Sequence, residues 1–343
     1  MRDFARNLVR WQRLHGRHDL PWQRTRDPYP IWLSEVMLQQ TRVETVLPYF
    51  ERFLARFPDL RALARAPVGE VLRLWSGLGY YARARNLHAA ARQIVRTHAG
   101  SFPRTVEELE ELPGIGRSTA GAVTALAFGR RAAILDGNAK RVFARTFGVE
   151  GKAAQWALAE KLLPSHGIRR YTQGLMDLGA TVCKREKPLC ARCPVADRCV
   201  AYLEGRIDEL PSPRRRKQIP VRGRAWLVLL HEGRVLLEPR PPTGLWGGLW
   251  TFPESGSDDA VEPAGRLLGC EIGCVRRGAQ FDHVFTHFRL RIEPVICEVR
   301  RVMPRAEQSG RRWFRLKAAA AAAVPTPVRT LLLQELSVDH SIV

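Results

Sequence analysis

Across residues 4–203 the apolar residues recur at three- and four-residue spacing, the period of amphipathic helices, with breaks at Pro28, Pro48, Pro58, Pro67, Gly77, Pro103 and Pro113. This part is expected to be all α. Two helix starts have capping-box form, Thr41 with Glu44 and Thr105 with Glu108, in which hydroxyl and carboxylate satisfy free N–H groups reciprocally. Further on the pattern changes. Residues 225–230 and 234–238 are apolar runs flanking His231-Glu232-Gly233, which predicts a β-hairpin opening a mixed α/β domain. The alanine run 318–323 reads as a helix ended by Pro325 and Pro327.

Between these regions stand Pro211, Pro213, Arg214, Arg215, Arg216, Lys217 and Pro220, a composition that buries nothing and is stiffened by proline. The expected organisation is therefore an all-α region over 1–208, a basic linker over 209–223 and a C-terminal domain over 224–343. A length of 343 residues suits two or three such units. Lys and Arg number 55 against 34 acids, a net charge of +21, which points to a polyanionic partner and salt-dependent affinity. The N-terminus, Met1-Arg2-Asp3-Phe4-Ala5-Arg6, runs into no apolar segment and no stretch approaches a membrane span, so a soluble intracellular protein without a membrane partner is expected.

Candidate chemistry lies in six places. Helical patterns over 105–112 and 117–128 flank Pro113-Gly114-Ile115-Gly116, where Gly114 and Gly116 permit a tight turn that aims N–H groups at a phosphate, a helix-hairpin-helix. Glu35 sits among apolar neighbours, so desolvation should raise its pKa and suit it to general acid work. Asp136 opens the helical pattern 138–147, near an N-cap that favours the charged form. An acid paired with an anion is what N-glycosidic cleavage of a purine requires. Taken singly, the hairpin has an ordinary turn as its lesser alternative, while Glu35 reads equally as a snorkelling acid and Asp136 as a simple cap. Cys183, Cys190, Cys193 and Cys199 form a tight quartet among basic residues, suited by type to zinc or to [4Fe–4S], with spacing that separates neither. In Leu78-Gly79-Tyr80-Tyr81, followed by Arg83, an aromatic on a flexed turn suits wedging between bases, or else core packing. Gln39-Gln40-Thr41 offers amides to a base edge or to solvent.

With hairpin, aspartate and cysteines in place, the chain resembles the helix-hairpin-helix DNA glycosylases of the endonuclease III superfamily, and within it the adenine glycosylases of MutY type. The strings that carry the resemblance are 34–43, 77–87, 112–122 and 135–138. It implies a multidomain fold: an all-α helix-hairpin-helix glycosylase domain, with a six-helix module at about 27–129 and an iron–sulfur module from the N-terminal helix plus about 130–208, and a C-terminal α+β Nudix-like domain. It implies adenine opposite 8-oxoguanine or guanine in double-stranded DNA as substrate. Glu35 would protonate adenine and help activate water, Asp136 would stabilise the cationic sugar, and Asn138 would orient the acid and water. Gln40, Thr41, Leu78, Tyr80, Arg83, Gly114, Gly116, Ser118 and Lys140 would lie against DNA, and the four cysteines would hold a structural [4Fe–4S] cluster.

Ser118 stands where bifunctional relatives carry the lysine that forms a Schiff base, which implies monofunctional chemistry. Phe285-Thr286-His287 resembles a Phe-Ser-His loop that reads 8-oxoguanine, with threonine for serine. The run 244–253 resembles a Nudix strand region, yet no acidic helix follows it to hold Mg²⁺. A cytoplasmic bacterial monomer, nucleoid-associated when on DNA, is expected. The competing readings are a bifunctional glycosylase/lyase, a non-catalytic DNA-binding module and a Nudix hydrolase.

Overall fold

The computed structural model describes residues 2–213, 218–255 and 261–339. Helices α1 (Arg2–His15), α2 (Pro28–Leu38), α3 (Val43–Arg56), α4 (Leu60–Arg65), α5 (Val68–Trp75), α6 (Ala82–Thr97), α7 (Val106–Glu110), α8 (Arg117–Leu126), α9 (Gly137–Phe147), α10 (Lys152–Lys161), α11 (Ile168–Asp177) and α12 (Val200–Leu203) follow one another before any strand forms. Among the described residues no helix is long and apolar enough to cross a membrane.

The Thr105–Glu108 capping box is present, with Glu108 N–H donating to Thr105 Oγ1 at 3.3 Å. The Thr41–Glu44 box is not: α3 starts at Val43 with Arg42 as N-cap, because Gln40 turns the chain with a φ of +58°. Pro48, expected to break a helix, lies inside α3, where burial of Val46, Phe50 and Phe53 outweighs one missing N–H.

The chain divides into two compact units, Met1–Arg65 with Asn86–Arg215 and Ala66–Arg85 with Arg216–Val343. The simple expected boundaries therefore fail at one place. Helix α5 and the turn after it group with the C-terminal half, since Ser76 and Tyr81 both bond the carbonyl of Val324. The expected linker also begins late: Leu210 is buried, Arg145 Nε donates to its carbonyl at 2.8 Å, and Ser212 Oγ donates to Glu150. Its other end, Val221–Gly223, is already strand, while 214–217 lie outside the described residues. A basic, proline-rich average concealed one apolar anchor.

In the first unit the core gathers Phe4, Leu8 and Trp11 of α1, Tyr171 and Leu175 of α11, and Phe143 of α9. Asp177, wholly buried at the end of α11, accepts from the Arg17 backbone N–H at 3.0 Å and from its Nε at 2.7 Å, closing α1 onto α11. Helix α8 buries a run of small residues, Ala120 to Ala125, so that neighbouring backbone approaches it closely. A Cβ on Gly121 would stand 2.1 Å from the carbonyl oxygen of Ala133. In the hairpin, Gly114 has a φ of +78° and abuts Asn86, whereas Gly116 caps α8 in ordinary extended backbone. Only the first of the two glycines is required by conformation.

The second unit is a mixed sheet. Strands β1 (Val221–His231) and β2 (Arg234–Pro239) form the expected hairpin, turning through Glu232 and Gly233, both at positive φ. Strands β3 (Trp250–Thr251), β4 (Glu254–Ser255), β5 (Cys270–Arg277), β6 (Phe281–Val284), β7 (Arg289–Val302) and β8 (Arg312–Arg315) complete it, in the order β3-β2-β1-β7-β5 with β4 on β1, β6 on β7 and β8 on β2. β1 and β7 run parallel and their neighbours antiparallel. Helices α13 (Val261–Leu267), α14 (Leu316–Ala321) and α15 (Thr326–Asp339) accompany the sheet. The alanine helix is present as α14, but Pro327 begins α15 rather than ending α14. The 244–253 run is mostly turn, with Gly244, Trp246 and Gly248 at positive φ and only Trp250–Thr251 in a strand.

Alanine is the better helix former by about 0.5–1 kcal/mol, yet Gly121→Ala is expected to destabilise the protein by about 1–3 kcal/mol, because its methyl meets fixed backbone. Gly116→Ala, with open space at the Cβ position, is expected to stay within about 1 kcal/mol of wild type. Thermal denaturation checks both, and equal midpoints for the two variants would contradict the close approach.

Candidate active site

Helix α2 begins on Asp27, whose side chain accepts from Tyr29 N–H at 2.9 Å, with Pro28 in the first turn. It is apolar on nearly every side, burying Tyr29, Ile31, Trp32, Leu33, Val36 and Met37. Glu35 shares that helix and keeps only a partial opening to solvent. Burial pushes its carboxyl up to about 8, and the negative charge of Asp136 adds to the rise. The two carboxyls are thus close enough to sense each other.

Asp136 is the N-cap of α9, as expected, and its Oδ1 accepts from Ala139 N–H at 2.7 Å. The expected consequence does not follow. Ala139 N–H, Arg141, Asn138 N–H and Lys140 all favour the anion, but burial outweighs them and the carboxyl lies above its ordinary value. Both carboxyls are raised, and the contrast between them is one of support: only Asp136 is surrounded by donors and cations.

The segment entering Asp136 is fixed from α8, since Ser118 Oγ accepts from Leu135 N–H at 3.0 Å. The neighbouring Thr119 hydroxyl accepts from Gln39 Nε2 at 3.2 Å, which ties the end of α2 to the same helix. Gln40 is exposed and Thr41 partly exposed beyond it. Lys140 follows Asp136 by one helical turn, its carbonyl accepting from Gln155. Asn138 Oδ1 accepts from Arg141 at 2.9 Å, and Arg141 donates also to the carbonyls of Gly179, at 2.7 Å, and Cys183, at 2.8 Å.

Arg141 went unnoticed in the sequence, as did Arg145. Their signal was there: Asn138, Arg141 and Arg145 share one face of a helix at i, i+3 and i+7.

The four expected cysteines line one cavity together with Val142, Leu178, Val182 and Ile207. Arg145, almost fully buried, donates to the carbonyls of Lys184 and Arg185 and reaches Cys183 Sγ at 3.7 Å, while Cys199 Sγ donates to Arg145 O at 3.2 Å. Among the described residues no group of three or more His, Cys, Asp or Glu has the arrangement of a single-ion site. Four sulfurs facing one apolar cavity with a buried guanidinium beside them form a donor set that fits a four-thiolate group.

A second cavity, of about 300 Å³, is lined by Gln12, Trp22, Gln23, Ser34, Arg169 and Gln173, and Ser34 directly precedes Glu35. Gln12 Oε1 and both amide atoms of Gln23 are buried there with no hydrogen-bond partner. Unpaired buried donors and acceptors around an indole suit a flat heterocycle carrying both. Neither glutamine was picked out from the sequence, where isolated amides give no signal.

In the second unit, Leu78 is buried, whereas Tyr80 is 49% exposed with a φ of +49°. Arg83 departs from expectation. It is buried, donates to Gly79 O at 3.1 Å and lies over the rings of Trp75 and Tyr80, so it braces the turn rather than presenting itself to DNA. Phe285 stacks on Phe288 at 4.7 Å, which leaves Thr286 and His287 exposed at the loop tip after β6.

Residues 33–164 match the family model of the HhH-GPD superfamily base excision DNA repair proteins, and 225–334 match that of the NUDIX domain. The adenine DNA glycosylase of Buchnera aphidicola (subsp. Acyrthosiphon pisum) is 33% identical over 96% of both chains. That of Homo sapiens is 32% identical over 95% of this chain and 72% of its own. The chain belongs to the adenine DNA glycosylases. They are enzymes that hydrolyse the N-glycosidic bond of adenine in base excision repair of DNA. Among solved structures, a thermostable thymine-DNA glycosylase is similar with a TM-score of 0.55 and 32% identity, covering 59% of this chain and 95% of its own. Endonuclease III in a DNA complex has a TM-score of 0.52 at 22% identity, over 59% of this chain and 94% of its own, a likeness of fold.

Should Glu35 serve as the acid of excision, its protonated form is lost as pH rises through about 8, and the rate constant should then fall above about pH 8. Glu35→Gln should lower the rate by about 10²–10⁴-fold and remove that limb. Between the ordinary carboxylate value and about 8 the unfolded chain ionises while the folded one resists, so Glu35 lowers stability as pH rises through this window. Glu35→Gln should therefore melt higher at neutral pH, by on the order of 1 kcal/mol or about 2–4 °C. An inactive variant that melts lower would contradict the desolvated acid.

Proposed function

We propose that the chain removes adenine paired with 8-oxoguanine or guanine from double-stranded DNA by monofunctional hydrolysis, leaving an abasic site in an unbroken strand. The observation that carries this reading is the buried Glu35 carboxyl, held protonated near neutrality beside the supported Asp136. The adenine would leave the stack and occupy the cavity of Trp22, Gln12 and Gln23, where unpaired amides meet its nitrogen edge.

Glu35 would give its proton to N7. The bond from C1′ to N9 then breaks, its electron pair leaving with adenine, and positive charge develops on the sugar. Asp136, as carboxylate, would stabilise that charge or bond to C1′ transiently. Glu35, now an anion, would take a proton from the water that attacks C1′, with Asn138 orienting both. Ser118 carries a hydroxyl, already bonded to Leu135 N–H, and offers no amine for a Schiff base. Lys140 would react with an opened abasic sugar only incidentally.

Cys183, Cys190, Cys193 and Cys199 would hold a [4Fe–4S] cluster, which when bound supplies a cross-link for the 183–199 loop rather than chemistry at the sugar. The hairpin at Gly114 and Gly116 would take a phosphate, Gln40 and Thr41 would face the base pair, and Tyr80 would enter the stack as adenine leaves. Leu78 would support that turn from inside. Thr286 and His287, presented by Phe285, would read the oxidised base, threonine keeping serine's hydroxyl. The setting would be the bacterial cytoplasm, with the protein acting as a monomer.

Asn caps a helix as well as Asp does, so Asp136→Asn should keep the fold while removing the charge. Single-turnover reaction on a duplex with adenine opposite 8-oxoguanine should give strand breaks only after alkali, and Asp136→Asn should lower their rate by about 10²–10³-fold or more. Breaks without alkali would mean lyase chemistry. No breaks from folded, cluster-bearing protein would end the adenine reading.

A further inference from the structure

The turn over 77–81 is held in an unfavourable backbone shape. Gly77, Gly79 and Tyr80 all have positive φ, at 101°, 77° and 49°, and for tyrosine that region is costly. Such a shape persists only where the surroundings over-determine it. Part of the bracing is local, with Trp75 Nε1 donating to Gly79 O at 3.1 Å and Arg83 at 3.1 Å to the same oxygen. The rest comes from more than two hundred residues away in the chain.

Val324, between α14 and α15, is fully buried and offers its carbonyl to both ends of the turn: Ser76 Oγ donates to it at 2.7 Å and Tyr81 OH at 3.3 Å. Arg329 of α15 donates to Ser76 Oγ at 2.8 Å, so the serine hydroxyl gives one hydrogen bond and accepts another. Tyr81 OH also accepts from Gly77 N–H at 3.2 Å, which fixes the first glycine of the turn. Just beyond, Arg85 donates to Gly247 O at 2.7 Å. Gly248, at a φ of +76°, lies so close to Leu72 of α5 that a Cβ there would stand 3.2 Å from Leu72 Cδ1. The same 246–248 run carries Trp246, whose ring lies 5.4 Å from that of Phe285.

We propose that Arg329, through Ser76 and the Val324 carbonyl, is a positioning residue for Tyr80, so that the Nudix-like unit sets the shape of the turn that opens the duplex as well as carrying the loop at 285–287. This rests on Tyr80 entering the stack. The junction joins buried Ser76, Tyr81 and Val324 to the half-buried Arg329, and a tyrosine held in left-handed backbone loses its preset direction once the carbonyl and guanidinium that brace the turn are removed. Arg329 itself touches neither base nor sugar in this scheme. Its effect falls on opening the base pair and leaves bond cleavage alone.

Full-length Arg329→Met, Arg329→Lys, Ser76→Ala and Tyr80→Ala separate the possibilities in single-turnover excision on two duplexes. In one, adenine is paired with 8-oxoguanine. In the other it faces an abasic site, where the stack is already broken and little opening is needed. On the paired duplex, Arg329→Met and Ser76→Ala should each slow excision about 10-fold, equivalent to about 1.4 kcal/mol in the barrier, and Arg329→Lys should recover part of the rate. On the abasic duplex Arg329→Met, Arg329→Lys and Ser76→Ala should stay within about twofold of wild type, and Tyr80→Ala must share their defect on the paired one.

Equal losses on both duplexes would place Arg329 in the chemistry or the general fold and overturn the inference. So would wild-type rates for folded Arg329→Met and Ser76→Ala alongside an impaired Tyr80→Ala. A Tyr80→Ala variant that matches wild type on the paired duplex would remove the duplex-opening reading itself, and the inference with it.

Discussion

Everything in the first unit depends on keeping two carboxyl groups out of water beside each other. Desolvation is unfavourable to each charge, and Glu35 and Asp136 both respond by holding their protons above the ordinary range. The fold tolerates this because the two are treated unequally. Asp136 has a backbone N–H, Arg141 and Lys140 to support an anion, while Glu35 has an apolar helix. A proton shared between such groups belongs first to Glu35. The roles of acid and anion proposed for them then follow from environment, with the same chemical group serving both.

Holding that pair demands that backbone be placed with little freedom. Gly121 lets the Ala133 carbonyl press onto α8, the Ser118 hydroxyl secures Leu135, and the α9 cap fixes Asp136 itself. Two residues further along, Asn138 is held by Arg141, whose remaining bonds go to the loop that begins the cysteine cavity. The cavity is thus an extension of the site's framework. A group binding the four sulfurs would stiffen Cys183 and, through its carbonyl, the guanidinium that orients Asn138. A structural centre can matter to excision in this way without taking part in it.

Much of this was legible in the chain. The helical period, the hairpin, the β-turn at Glu232-Gly233 and the cysteine quartet carry local signals, and the structure places them as expected. What escaped notice was long-range. Nothing in Gln12 or Gln23 announces an unpaired amide in a cavity, and nothing in Leu210 announces an anchor inside a basic linker. The Thr41 box failed because Gln40 adopts left-handed backbone, a local choice that neighbouring residues do not encode. The resemblance puts Arg83 against DNA. Its burial over Trp75 depends on a turn whose shape the sequence shows only through two glycines.

That turn shows how parts of the chain far apart in sequence share the work within the second unit. Its residues precede α6 in the chain, yet Ser76 and Tyr81 find their partners in Val324 and Arg329, and Arg85 of α6 donates to Gly247. A left-handed tyrosine held at the protein surface stores strain of about 1–2 kcal/mol, and the hydrogen bonds that balance it lie in the Nudix-like unit. Loss of the chain beyond the first strand of the sheet would therefore remove the bracing of this turn together with the loop at 285–287. The first unit would keep Glu35, Asp136 and the cavity beside Trp22, while Tyr80 relaxed toward ordinary backbone. Under the roles proposed for Tyr80 and for the 285–287 loop, selection of the pair and opening of the stack would weaken together.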